Sequence, residues 1–267
     1  DVAPSRGLGD VYKRQVKYFM FLMTTLILSV PFYIWGAFFP VKGLPFGLPI
    51  SFLMIMVPFF LSLIYAWKEN GIERITFLFK SIFDINRASR WWIIFCLACM
   101  PLVTVLTYFT MRVFPFPLPA EIVFPYREIP LMIALYFLGA IPEEFGWTAT
   151  LTEPLTKEYG PIKAGIIIGG VWAVWHIIPW SWAHPAGWII GMCILNVLMR
   201  TAMIYAYMYG GKSLFTGLAF HTMINVTTGI FPNYGSHVNT WLFSAWMAVV
   251  LLLVIWFVKR KNKAYEY

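Results

Sequence analysis

The sequence predicts an all-α polytopic membrane protein of about eight transmembrane helices. Composition is the first reason: 60% of the 267 residues are hydrophobic and 12% are charged, where a soluble domain is roughly a quarter charged. Mean hydropathy, +0.71, is the second. The third is pattern. Apolar residues gather in runs close to the ~20 residues that span hydrocarbon, broken by turns of glycine, proline and basic residues.

Ser5 to Gln15 reads SRGLGDVYKRQ. This resembles the in-frame translation of a transposon-end sequencing adapter. Residues 1–15 are therefore set aside as non-native, and 16–267 are read as a single integral membrane domain. The net charge of +8 becomes about +7 without them.

The first span covers 16–39, too long and too aromatic for a signal-peptide core. A Gly/Pro turn occupies 40–49, and a second span 50–67. Residues 68–90 are polar, but Ile72, Ile75, Phe79, Ile82 and Phe83 recur at helical spacing. That pattern predicts an amphipathic helix on the membrane surface. Span three is 91–111. Pro115, Pro117, Pro119 and Pro125 make 112–127 an extended loop. Spans four to eight follow at 130–151, 162–180, 188–209, 213–231 and 240–258, and a basic cluster from Lys259 stops the last.

Eight spans put both termini on one side. The basic connections at 68–90, 157–163 and 259–263 fall on that side too, and the loop 180–187 opposite carries no Lys or Arg. By the positive-inside rule both termini are cytoplasmic. The positive charge is accounted for by these loops, so no nucleic-acid partner is implied; the bilayer is the partner. No internal repeat suggests a transporter. Cys96, Cys99 and Cys193 lie in apolar runs without metal spacing and read as small hydrophobes.

Glu143 and Glu144 stand side by side in span four, His176 in span five, Arg200 in span six, and His221 with Asn225 in span seven. An ionisable residue at membrane depth costs at least ~2.5–3.5 kcal/mol and marks function by default. Adjacent helical residues diverge by about 100°, so only one glutamate points squarely at a shared site. Trp172 and His176 share one face, and so do His221 and Asn225. Polar groups converging inside a bundle make a water-holding cavity. A buried carboxyl is a better base than a solvated one, and a His with an Asn can donate to an oxyanion. These are the parts of peptide hydrolysis without a covalent intermediate. His184 and His237 read as ordinary loop residues, and the Trp and Phe stripes as lipid belts or packing.

Glu143-Glu144-Phe145-Gly146-Trp147-Thr148, Trp172-Ala173-Val174-Trp175-His176 and His221-Thr222-Met223-Ile224-Asn225 resemble, in order, the E-E-x-x-x-R, F-x-x-x-H and H-x-x-x-N motifs of the CAAX-protease and bacteriocin-processing family. Its members are intramembrane glutamic proteases. The similarity spans roughly 130–230, which would be the catalytic core. It implies a conical intramembrane cavity, Glu143 as the base that activates water with His176, and His221 with Asn225 as the oxyanion pocket. Glu144, Trp172 and Arg200 would support them. The implied substrate is a membrane-associated peptide or protein at a prokaryotic plasma membrane. No cofactor is implied. Without H-E-x-x-H, a metal is not expected either. Nothing in the sequence sets an oligomeric state.

One position departs from the pattern: the family arginine is Thr148. A catalytically silent immunity or scaffolding protein of the same fold is the alternative that this departure suggests. Either Glu144 is protonated or another cation substitutes, and Arg200 is the candidate, as a Glu144–Arg200 ion pair between helices. The other outcome for Arg200 is snorkelling to the headgroups.

Overall fold

The computed structural model describes residues 5–38 and 50–263; the Gly/Pro turn expected at 40–49 lies outside them. The described residues form helices and connections, with no strand among them. The helices are α1 (Ser5–Phe38), α2 (Met56–Ser81), α3 (Arg90–Val113), α4 (Ile129–Glu144), α5 (Thr152–Ser181), α6 (Ala186–Tyr209), α7 (Leu214–Ile230) and α8 (Thr240–Lys263). Among the described residues, seven helical stretches are long and apolar enough to cross a membrane. The seventeen residues of α7 add a helix of about 25 Å, at the short end of what spans hydrocarbon. The chain is a multi-pass membrane protein, and side chains such as Leu131, Leu138, Leu252 and Leu253 stay outward-facing on its spans.

Helix α6 runs through the middle of the bundle, packed on α5, α7 and α8. Two glycines one turn apart on α5 let it come close. A Cβ on Gly165 would lie 2.8 Å from the Thr201 Cα, and one on Gly169 2.8 Å from the Val197 Cα. Small residues at this spacing are how membrane helices pack without hydrophobic drive. Gly217 on α7 plays the same part against the end of α4, where a Cβ would meet the Thr148 Oγ1 at 2.8 Å and the Glu144 Oε2 at 3.3 Å.

Between α4 and α5 lies a π-helical stretch, Phe145–Thr150. Its wider turn is secured by side chains five residues on: Thr150 Oγ1 donates to the Phe145 carbonyl at 2.8 Å and Thr152 Oγ1 to the Trp147 carbonyl at 2.9 Å. Such insertions concentrate at functional sites. Here it follows the two glutamates directly and keeps Trp147 and Thr148 on their side of the helix.

The second span differs from expectation. A 3-10 turn, Ile50–Ile55, precedes α2, and α2 runs on to Ser81 with a break at Asn70 and Gly71. Gly71 has φ +55° and ψ −141°, a conformation essentially reserved for glycine. The segment after the break is helical, as the spacing predicts, and part of it packs against the bundle. Leu78 and Ile82 are buried and cluster with Phe145, Leu214 and Leu218. Phe79 packs edge-on against Phe145. Ile72 and Phe83, placed on the anchoring face by the sequence pattern, stay outside at 62% and 71% exposure.

Candidate active site

Two carboxylates with different duties occupy the end of α4. Glu144 is wholly buried and saturated. Arg200 donates to it twice, Nη1 to Oε2 at 2.8 Å and Nη2 to Oε1 at 2.9 Å. The Thr148 hydroxyl also donates to Oε2, and His221 Nδ1 meets Oε1 at 2.8 Å. Each oxygen thus accepts two hydrogen bonds, the capacity of an ionised carboxylate. The bidentate fork is the strong form of this contact. Arg200 does not snorkel. It is 0% exposed, and its guanidinium carbon lies 4.3 Å from the centre of the Trp172 ring.

Glu143 points elsewhere. Two indole N–H groups donate to its Oε2, Trp172 at 2.8 Å and Trp147 at 3.3 Å. Its Oε1 accepts no hydrogen bond among the described residues, and the side chain keeps 6% exposure. The helical divergence of neighbouring residues is what separates the roles.

His176 sits on α5 one turn beyond Trp172. Its Nδ1 faces the Trp172 carbonyl at 2.8 Å. A carbonyl oxygen only accepts, so Nδ1 carries the hydrogen and the neutral ring keeps its lone pair on Nε2. Trp180 stacks on the imidazole, centroids 5.0 Å apart and planes 17° apart, and Trp175 closes edge-on at 4.8 Å. Trp175 is itself pinned from α1: its indole donates to Ser29 Oγ at 2.6 Å, and its carbonyl accepts from the Tyr33 hydroxyl at 2.7 Å. Trp172 stands edge-on to both imidazoles, 5.6 Å from His176 and 5.3 Å from His221.

Asn225 lies one turn along α7 from His221. It is half-buried, and its side chain makes no hydrogen bond among the described residues. The structure therefore gathers Glu144, Arg200, Thr148 and His221 into one network and Glu143, Trp172 and Trp147 into another. No three His, Cys, Asp or Glu side chains among the described residues are grouped as a metal site requires.

The sequence analysis lacks several of these contacts, among them Trp147 to Glu143 and His221 to Glu144. Trp147 as a donor to Glu143 could be found from its place four residues after that glutamate on a helix. His221 as a partner of Glu144 had no local signal, since it depends on how α7 docks.

The Type II CAAX prenyl endopeptidase Rce1-like family profile matches residues 125–227. That span runs from the approach to α4 through most of α7 and contains every residue of both networks. Over that span the chain is similar to the CAAX prenyl endopeptidases. A curated relative, CAAX prenyl protease 2 of Methanococcus maripaludis, is 21% identical over 223 residues, covering 78% of this chain and 82% of the relative. The similarity supports a membrane peptidase of the CAAX-protease type. Against the family motif, its cation at the second glutamate comes from α6 instead of from the same helix.

Proposed function

We propose that the protein is an intramembrane endopeptidase in which Glu143 activates a water for direct attack on a peptide bond. The observation that carries this is the asymmetry of the two glutamates. Glu144 has no acceptor capacity left, so it cannot bind and deprotonate water. Glu143 has one oxygen held by two indoles and one oxygen open. His176, with its lone pair on Nε2, is the second acceptor for that water. As the carbonyl carbon becomes tetrahedral, His221 Nε2 and the Asn225 amide are the donors for the oxyanion. Donation from Nε2 requires the doubly protonated ring, with Glu144 as its counter-charge at Nδ1. The proton taken by Glu143 passes to the leaving amine.

The substrate is a membrane-associated peptide or protein, cut within or beside the bilayer. The protein acts in a prokaryotic plasma membrane with both termini in the cytoplasm. A catalytically silent role rests on Thr148, and Arg200 supplies the cation at Glu144 that Thr148 does not, which supports the active reading.

The test is cleavage of candidate peptides by the protein reconstituted in liposomes, compared with Glu143→Ala and His221→Ala. Both variants should stay folded and lose cleavage. Cleavage that persists in both rules out the hydrolase.

A further inference from the structure

Among the described residues, four buried side-chain atoms lack a hydrogen-bond partner: Thr107 Oγ1, Thr156 Oγ1, Asn196 Nδ2 and Arg200 Nε. A threonine hydroxyl on a helix can turn to the carbonyl one turn back, so the first two find an acceptor within their own helices. The other two have no such recourse. Both are donors, both belong to α6, and they stand four residues apart, which puts them on one face of the helix.

Arg200 cannot swing to meet an acceptor. Its Nη1 donates to Glu144 Oε2 at 2.8 Å and to Thr148 Oγ1 at 3.4 Å, and its Nη2 donates to Glu144 Oε1 at 2.9 Å. Its flat face lies against Trp172. Only the Nε edge is left over. Long side chains on a helix lean toward its N-terminus, onto the residues three and four before them. For Arg200 this carries the Nε edge over the turn that holds Asn196. Both residues border Gly169 of α5, where a Cβ would lie 3.1 Å from the Arg200 Cβ and 3.3 Å from the Asn196 carbonyl oxygen.

A buried donor without an acceptor is costly, and one acceptor between these two serves both. The charge of Arg200 is already balanced by Glu144, so that acceptor is neutral. Arg200 is 0% exposed and Asn196 2%, so it does not reach in from a peptide or from lipid. A single water meets both conditions. It has two lone pairs for two donors, and buried waters characteristically serve polar groups that the protein leaves unsatisfied.

We propose that Asn196 is a positioning residue: its side-chain amide and the Arg200 Nε hold one buried water between them, and that water fixes the remaining edge of the guanidinium that grips Glu144. With this edge held, the fork does not pivot on the Trp172 ring, and Glu144 stays in place to meet His221. The water site is independent of what the protein does; its effect on turnover rests on the peptidase reading above.

Two measurements test it. The first is the structure of the full chain in lipid nanodiscs, at a resolution that shows ordered waters, for wild type and Asn196→Leu. Wild type should hold a water within hydrogen-bond distance of both the Arg200 Nε and the Asn196 amide, and Asn196→Leu should lack it. A gap without a water in wild type, or an Asn196 amide oxygen in direct contact with Nε, would overturn the proposal. The second is peptide cleavage set beside thermal unfolding. Asn196→Leu should lower kcat about tenfold and leave KM unchanged. Asn196→Ser keeps a hydroxyl for the water and should recover most of kcat, although its smaller side chain leaves a void and should unfold at a lower temperature than Asn196→Leu. If kcat instead follows the unfolding midpoint across the two variants, Asn196 only packs and the positioning role is overturned. Should wild type cleave nothing, the peptidase reading fails and the water density alone decides this site.

Discussion

Arg200 grips both oxygens of Glu144 from a helix 56 positions further along the chain. Where the family motif supplies the cation four residues after the glutamate, this chain has Thr148 there and sends the charge across from α6. The exchange is possible because Gly165 and Gly169 bring α6 against α5, and because Trp172 offers its ring face to the guanidinium.

Removing that cation strands a buried carboxylate. Arg200→Ala should cost about 3–5 kcal/mol of stability and abolish cleavage, read by denaturation in detergent and by peptide assay. Thr148→Arg placed on Arg200→Ala should recover part of both, since the new guanidinium can fill the space vacated beside Glu144. No recovery would mean that the cation must come from α6.

The Trp172 indole separates two jobs of one residue. Trp172→Phe keeps a ring over Arg200 and loses the N–H that holds Glu143. A hydrogen bond to a charged group is worth about 1.5–3 kcal/mol, so kcat should fall roughly 10- to 100-fold. KM and the unfolding midpoint should change little. A purely structural Trp172 would instead lower stability with kcat intact.

Gly169→Ala tests whether helix spacing sets the site. The added methyl would press on the Val197 Cα at 2.8 Å and on the Arg200 Cβ at 3.1 Å. Overpacking of this kind costs about 1–3 kcal/mol. The loss in kcat should exceed what that destabilisation explains, because α6 carries Arg200 with it as it moves. Ile166→Ala, on an outward-facing position of the same helix, is the control and should leave kcat unchanged.

Much of this was legible in the sequence, for physical reasons. Apolar runs must match the bilayer, so most span ends agree with the helix ends to within a few residues. The larger differences are at three ends: α1 begins at Ser5, α2 runs past the predicted end at 67 to Ser81, and α5 begins before the predicted span, at Thr152, and passes a break at Gly160, where φ is +78°. Charges at membrane depth must find partners, so the pairing of Arg200 with Glu144 could be anticipated from two stranded ions. The rest depends on docking. That His221 turns its Nδ1 to Glu144, and that Trp147 and Trp172 converge on one oxygen of Glu143, follows from glycine contacts and the phase of the π stretch. Neither is encoded in local spacing. In the segment after Gly71, periodicity does not distinguish Leu78 and Ile82, which pack inward, from Ile72 and Phe83, which do not.

The most direct measurement compares Glu143→Gln with Glu144→Gln in kcat and in unfolding midpoint. Glu143→Gln keeps an acceptor oxygen for the two indoles but has no base, so it should lose turnover by several orders of magnitude at nearly wild-type stability. Glu144→Gln breaks the pairing with Arg200 and should lose stability along with activity. Turnover by Glu143→Gln near the wild-type rate would contradict the account.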